Sequence, residues 1–282
     1  VEEAAQAAQA SALVSKFDQE KGRLQRLTFD VADMHFDLSR THLDIGVVDA
    51  FLALAKQTDF QGLRARLLSG ETVNPTEGRA ASHTAERGMG AEADVHAADE
   101  ARRQMRALYD RIEGGAFGDV RHIIHIGIGG SFLGPALVID ALLPKEPRYD
   151  VQIVSNIDAR ALERALMHVD RTRTLIVTVS KSFTTLETMM NTESALKALG
   201  QDAKSRLIAV TAAPDKATEF GVDAANVLPF AETVGGRYSL WTGVGLAAAL
   251  ALGWEEYEAL LSGAAAMDRH FADADLTENV PF

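Results

Sequence analysis

The chain has 282 residues, 47% hydrophobic and 24% charged, enough for one large domain with an ordinary core, or a domain with an arm. Forty acidic residues against 28 basic ones give a formal net charge of −12, which repels nucleic acid and anionic membranes, so an anionic ligand would need a local site of cations and backbone N–H groups. The absence of cysteine excludes disulfides, thiolate metal sites and cysteine nucleophiles, and fits a cytoplasmic protein.

In chain order, residues 1–90 read as helical. The acidic, alanine-rich first ten residues lack the basic start and apolar core of a secretory signal. Leu13, Phe17 and Leu24 predict one amphipathic stretch. Val47, Val48, Phe51, Leu52, Leu54 and Ala55 predict a second, with Asp44 and Asp49 near its start, where a carboxylate suits the helix dipole. Leu63, Leu67 and Leu68 continue the pattern to Gly70, which would end it. Asn74-Pro75-Thr76 reads as a turn into another helix, broken by Gly88-Met89-Gly90; Glu77, Arg79 and His83 could share its face as a surface network.

From residue 99 the pattern changes. A helix over 99–112 ends at Gly114-Gly115, and apolar, β-rich runs follow at 122–128, 151–155, 174–180 and 207–211, with a shorter one at 226–230. Helix-capable segments follow the first four. The alternation predicts an α/β fold: a parallel sheet flanked by helices, preceded by a helical N-terminal arm, with the boundary in the polar stretch 90–98. The apolar run 243–252 is too short and too glycine-interrupted to span a bilayer. The chain starts at Val1 and stops at Asn279-Val280-Pro281-Phe282, with no stop signal for the element starting there, and reads as cut at both ends.

Three segments could carry chemistry. Gly127-Ile128-Gly129-Gly130-Ser131 follows the first strand and opens a helix; it reads equally as an anion-binding loop or a tight structural turn. It does not fit a dinucleotide fingerprint, because Phe132 stands where the third glycine belongs, and no GxxxxGK[ST] follows. Ser180-Lys181-Ser182-Phe183-Thr184-Thr185 follows the third strand and crowds hydroxyls around one lysine. An N-cap needs one hydroxyl and this stretch, with Thr188, has five, which favours phosphate binding over capping. In Gly235-Gly236-Arg237-Tyr238-Ser239, paired glycines precede an arginine able to stabilise an oxyanion; by itself, a surface salt bridge at a helix start accounts for it better. The eight histidines form no metal-ligand pattern; His122 and His125, three apart on one strand, face opposite sides and read as structural. Asp268, Arg269 and His270 read as a polar helix face.

The stretches Val73-Asn74-Pro75-Thr76-Glu77-Gly78-Arg79-Ala80, 127–135, 180–188, 234–245, 263–271 and 279–281 stand in the order of the phosphoglucose isomerase family, which the whole chain resembles, more weakly before residue 70. The resemblance implies a sugar-isomerase (SIS) domain over 96–282, after a helical segment 1–95. It implies sugar contacts at Gly130 and Ser131, and a phosphate cradle of Ser180, Lys181, Ser182 and Thr185, lined by Thr184. Ser182 stands where the family usually has threonine, so a hydroxyl is kept. Gly236 and Arg237 would face the reacting carbons, with the arginine stabilising a cis-enediolate. The implied reaction interconverts glucose 6-phosphate and fructose 6-phosphate, a step of glycolysis and gluconeogenesis, by general acid–base catalysis without metal or nucleotide. The family's catalytic glutamate, ring-opening histidine and late lysine lie beyond Phe282, as does a second SIS domain. No base is therefore assigned here, and Glu187 is expected to orient the phosphate loop or pair with a cation. Family members are usually homodimers with sites built across the interface. The alternative is a non-catalytic SIS module that binds sugar phosphates; acceptance of mannose 6-phosphate stays open.

Overall fold

The computed structural model describes all 282 residues, which divide into two compact units, Val1–Ala80 with Ser262–Phe282, and Ala81–Leu261. The first unit holds helices α1 (Glu2–Gln9), α2 (Leu13–Gln19), α3 (Arg23–Arg26), α4 (Ile45–Gln57) and α5 (Phe60–Leu68), with strands β1 (Thr28–Val31) and β2 (Met34–Asp37) between α3 and α4. The expected α4 forms with Asp44 as its N-cap, accepting the Val47 N–H at 3.0 Å. Gly70, at φ +82°, follows the end of α5.

Three details differ from the sequence reading. An antiparallel hairpin, β1 with β2, interrupts the helical stretch. Its two-residue turn places Ala32 and Asp33 at φ +50° and +59°, a geometry usually announced by Asn-Gly, so the sequence carried no turn signal. In α2 and α3 the buried residues are Lys16 and Arg23, while Phe17 and Leu24 are exposed. Lys16 pairs with Asp44 at 2.7 Å, and Arg23 donates to the Ser39 and Thr41 carbonyls, so both charges are satisfied inside. The helix expected after Asn74-Pro75-Thr76 does not form: the Asn74 side chain accepts from the Thr76 N–H and hydroxyl, and only a 3₁₀ turn, Ala85–Arg87, follows.

The second unit contains α6 (Glu92–Glu113), β3 (His122–Ile126), α7 (Gly130–Leu142), β4 (Asp150–Val154), α8 (Ala159–Met167), β5 (Thr174–Val179), α9 (Leu186–Leu199), β6 (Leu207–Thr211), α10 (Pro214–Phe220), β7 (Val227–Pro229) and α11 (Leu246–Leu252); α12 spans Trp254–Asp273. The helix expected from 99 begins earlier, with Glu92 and Asp94 in its first turn. The strands form one parallel sheet in the order β4-β3-β5-β6-β7. β5 is buried at every position, because helices cover both faces. Ile123, Leu175, Val177, Ile208 and Val210 face Met105, Leu108 and Ile112 of α6 together with α11. Ile124, Ile176, Leu207 and Ala209 face Leu162, Ala195, Leu199 and Ala217 of α8, α9 and α10. No helix is long and apolar enough to cross a membrane.

Candidate functional site

The strand order reverses between β3 and β5: from β3 the chain crosses outward to β4, and from β5 it proceeds the other way to β6 and β7. In an open parallel sheet, the crevice at the carboxyl ends of such a pair is where ligands bind. The glycine segment leaves β3 there, and the hydroxyl-rich segment leaves β5.

After β3, Gly127 is buried and Gly129 turns the chain at φ +61°, a conformation glycine adopts without strain. α7 starts at Gly130 with no side chain capping it, and its Ser131, Phe132 and Leu133 N–H groups are taken up by the Ile128 and Gly129 carbonyls at 3.1–3.2 Å. Pro135 lies inside α7 and lacks the N–H that the Ser131 carbonyl would otherwise accept. His125 supplies the substitute: its Nε2 lies 2.7 Å from that carbonyl. A carbonyl only accepts, so Nε2 carries the proton, and the buried Nδ1 has no partner. Full burial lowers the His125 pKa to about 4, although the Ser131 bond favours the charged form, so the ring is neutral. The structural role expected of His125 is this support under the loop.

After β5, the loop is pinned from below by Phe183. Its ring is 4% exposed, packs edge-on against Phe220 at 5.9 Å, and is held at φ +50°, an unusual conformation for a bulky residue. That anchor turns Ser182 and Thr184 outward, where the Thr184 hydroxyl donates to Ser182 Oγ at 2.7 Å. Ser180 is buried, with its Oγ 3.1 Å from Thr185 Oγ1. Thr185 occupies the N-cap of α9, yet its hydroxyl makes no capping bond. The hydroxyls therefore do not close the helix start, and the Leu186, Glu187 and Thr188 N–H groups are left without an acceptor. Glu187, in that turn, makes no hydrogen bond or ion pair within the chain, so the expected cation pairing is not formed.

The third segment meets the other two. Lys181 Nζ donates to the Glu232 and Val234 carbonyls at 2.5 and 3.0 Å. Gly236 lies directly against Gly130: a β-carbon at 130 would fall 2.0 Å from the Gly236 oxygen. The residues from Gly236 to Trp241 form a 3₁₀ turn, with Tyr238 stacked on His83 at 4.5 Å and Arg87 over Trp241 at 4.7 Å. Arg237 is exposed and makes no hydrogen bond or ion pair within the chain, so the surface salt bridge that sequence alone favoured is absent. Gly130, Ser131, Ser180, Lys181, Ser182, Thr184, Thr185, Gly236 and Arg237 thus lie on three segments joined at the carboxyl ends of the central strands. Sequence reasoning missed the supporting roles of Pro135 and Phe183. A proline four residues after Ser131 was a readable sign of an open carbonyl; nothing in the sequence marks Phe183 as left-handed. No group of His, Asp and Glu stands close enough to hold a metal ion.

The family model described as "Phosphoglucose isomerase" matches residues 37–282. Among curated relatives, a glucose-6-phosphate isomerase from Novosphingobium aromaticivorans is 54% identical over 92% of this chain and 53% of its own. One from Sphingopyxis alaskensis is 52% identical, over 92% and 52%. The crystal structure of a glucose-6-phosphate isomerase from Chlamydia trachomatis superposes with a TM-score of 0.83 at 26% identity, covering 99% of this chain and 56% of that one. The chain spans about half the length of the curated relatives it matches.

Proposed function

This chain belongs to the phosphoglucose isomerase family, and on that premise we propose that it carries the sugar-phosphate-binding half of an aldose–ketose isomerase that interconverts glucose 6-phosphate and fructose 6-phosphate through a cis-enediolate. The observation that carries the reading is the junction at the β3–β5 switch point, where the uncapped start of α9 and its hydroxyls are linked, through Lys181, to the segment that carries an unpartnered arginine.

In this reading the phosphate sits among Ser180, Ser182, Thr184 and Thr185, taking hydroxyl donors and the first N–H groups of α9. The helix dipole and Lys181 supply positive potential that the chain's net charge of −12 does not. Gly130 and Ser131 border the sugar, where only a glycine lets α7 and the Gly236 backbone approach so closely. Arg237 reaches the carbons between which the proton moves. Its guanidinium stays charged and is matched to the oxygen that gains charge in the enediolate. The base that shuttles the proton between C2 and C1 is assigned to no residue of this chain. An exposed arginine with no partner supports an isomerase over a module that only binds sugar phosphates, since simple retention needs no cation at the reacting carbons. The proposal extends to a cytoplasmic homodimer for the full-length protein.

The test is calorimetric titration of this chain with fructose 6-phosphate, with unphosphorylated fructose as the control. Binding that requires the phosphate is the expected outcome. Equal binding of both sugars by a folded chain would remove the phosphate cradle.

A further inference from the structure

Lys181 does more than lend charge to the loop that contains it. Its main chain is clamped to the end of β6: its carbonyl accepts from the Ala212 N–H at 3.0 Å and from the Thr211 hydroxyl at 3.1 Å. From that fixed origin the side chain leaves the phosphate loop and donates to the Glu232 and Val234 carbonyls. An ammonium has three donors, and two of them are directed at the backbone just before Gly235-Gly236-Arg237. Val234 is itself buried and closes a turn onto the Ala231 carbonyl at 3.0 Å, so the carbonyls that Lys181 holds belong to a rigid corner. On its far side the corner is tied to Ser82, whose N–H donates to the Thr233 carbonyl at 3.1 Å and whose hydroxyl lies 2.6 Å from Thr233 Oγ1. Two residues further on, Gly236 rests on Gly130.

We propose that Lys181 is a positioning residue: by holding the Glu232 and Val234 carbonyls it fixes where Arg237 stands relative to the phosphate loop. A substrate anchored by its phosphate then presents its reacting carbons to the guanidinium at a set distance. The inference rests on the isomerase reading of this site. It adds a route by which the phosphate loop acts on the chemistry. Small displacements of a charge-stabilising group weaken catalysis steeply, with about 1 Å able to lower a rate on the order of a hundredfold.

A double-mutant cycle in the full-length protein tests it, with kcat and KM measured for fructose 6-phosphate in Lys181→Met, Arg237→Ala and the double variant. Lys181→Met keeps an unbranched apolar stem and loses the donors. The expected result is a kcat lowered by roughly tenfold to a hundredfold in Lys181→Met, and a double variant within about threefold of Arg237→Ala alone, because a misplaced arginine and a missing one are the same defect. Lys181→Arg, whose guanidinium can still donate to both carbonyls, should retain most of the turnover. Losses that multiply in the double variant overturn the proposal. So does a Lys181→Met protein with unchanged kcat and a KM that rises in parallel with the inhibition constant of inorganic phosphate, the pattern of a phosphate contact alone. Should Lys181→Met not fold, Lys181→Gln carries the cycle under the same criteria. Arg237→Ala with unaltered kcat and KM would refute the isomerase reading and this proposal together, whereas multiplicative losses would remove only the role of Lys181.

Discussion

Two neighbouring glycines at the start of α7 are glycines for different reasons. A β-carbon on Gly130 would lie 2.0 Å from the Gly236 oxygen and 2.2 Å from its carbonyl carbon, both backbone atoms that no rotamer can move aside. Gly129 has open space where its β-carbon would be, but holds φ +61°. Gly130→Ala should therefore push α7 away from the Gly236 segment, lower stability by about 1–3 kcal/mol, and abolish fructose 6-phosphate binding. Gly129→Ala meets no neighbouring atom but must hold φ +61° and ψ −125°, a region that side chains disfavour by about 1–3 kcal/mol, and should leave binding in place. Urea denaturation and titration of both variants check this. Wild-type affinity in folded Gly130→Ala would show that the close approach is not part of the site.

At the scale of the element, α9 sets its hydroxyls against the ordinary logic of a helix start. An N-cap threonine normally bonds an N–H of the first turn, and its loss lowers stability by about 1 kcal/mol. Thr185 instead has Ser180 Oγ as its hydroxyl partner, and caps nothing. Thr185→Ala should thus lower stability only by the loss of the Ser180 hydrogen bond, about 0.5–1.5 kcal/mol. It should also weaken fructose 6-phosphate binding about tenfold, the scale of one hydrogen bond to a charged group. The opposite pattern, a large stability loss with unaltered affinity, would mean a structural cap. Which residues make the strands was readable from the apolar runs, since parallel strands buried on both faces carry little else. Hairpin β1–β2 was not readable, because Ala32 and Asp33 adopt left-handed angles without the usual turn residues.

For the whole molecule, two buried titratable groups act on stability in opposite senses. Glu86 is 5% exposed and lines a cavity of about 350 Å³ with Ser82, His96 and Phe230. Burial raises its pKa to about 7, against the pull of Arg102 and Arg87 and with a smaller push from Asp99. A carboxyl that binds its proton more tightly when folded contributes stability that is full below about 4.5, its unfolded value, and is lost as pH rises to about 7. His125, with its pKa lowered to about 4, has the reverse sign: its contribution is present above about 6.5 and is lost as pH falls toward 4. The two trends oppose each other between these values, so comparison with a Glu86→Gln variant isolates the carboxyl. Relative to the parent, that variant should be about 1–3 kcal/mol more favoured at pH 8 than at pH 5, read from urea denaturation at both values. A difference that does not depend on pH would mean that Glu86 is solvated or ion-paired in the folded chain.

What the sequence determined by itself was the parallel α/β architecture and the three segments of the proposed site. Glycine, hydroxyl and cationic residues at strand-to-helix junctions are local patterns, and local patterns survive in one dimension. The tertiary structure decided how those segments meet. Only the strand order reveals that the β3 and β5 loops leave neighbouring strands at the same end of the sheet, since loops more than 40 residues apart in the chain carry no local sign of contact. Only packing shows that Gly130 is fixed by the backbone of Gly236, and that the lysine of one loop holds the carbonyls of another. The same holds for Lys16 and Arg23, charged residues that sequence places outside and that partners distant in the chain bring in. Burial and partnership are properties of neighbours in space, and a one-dimensional pattern records neighbours only along the chain.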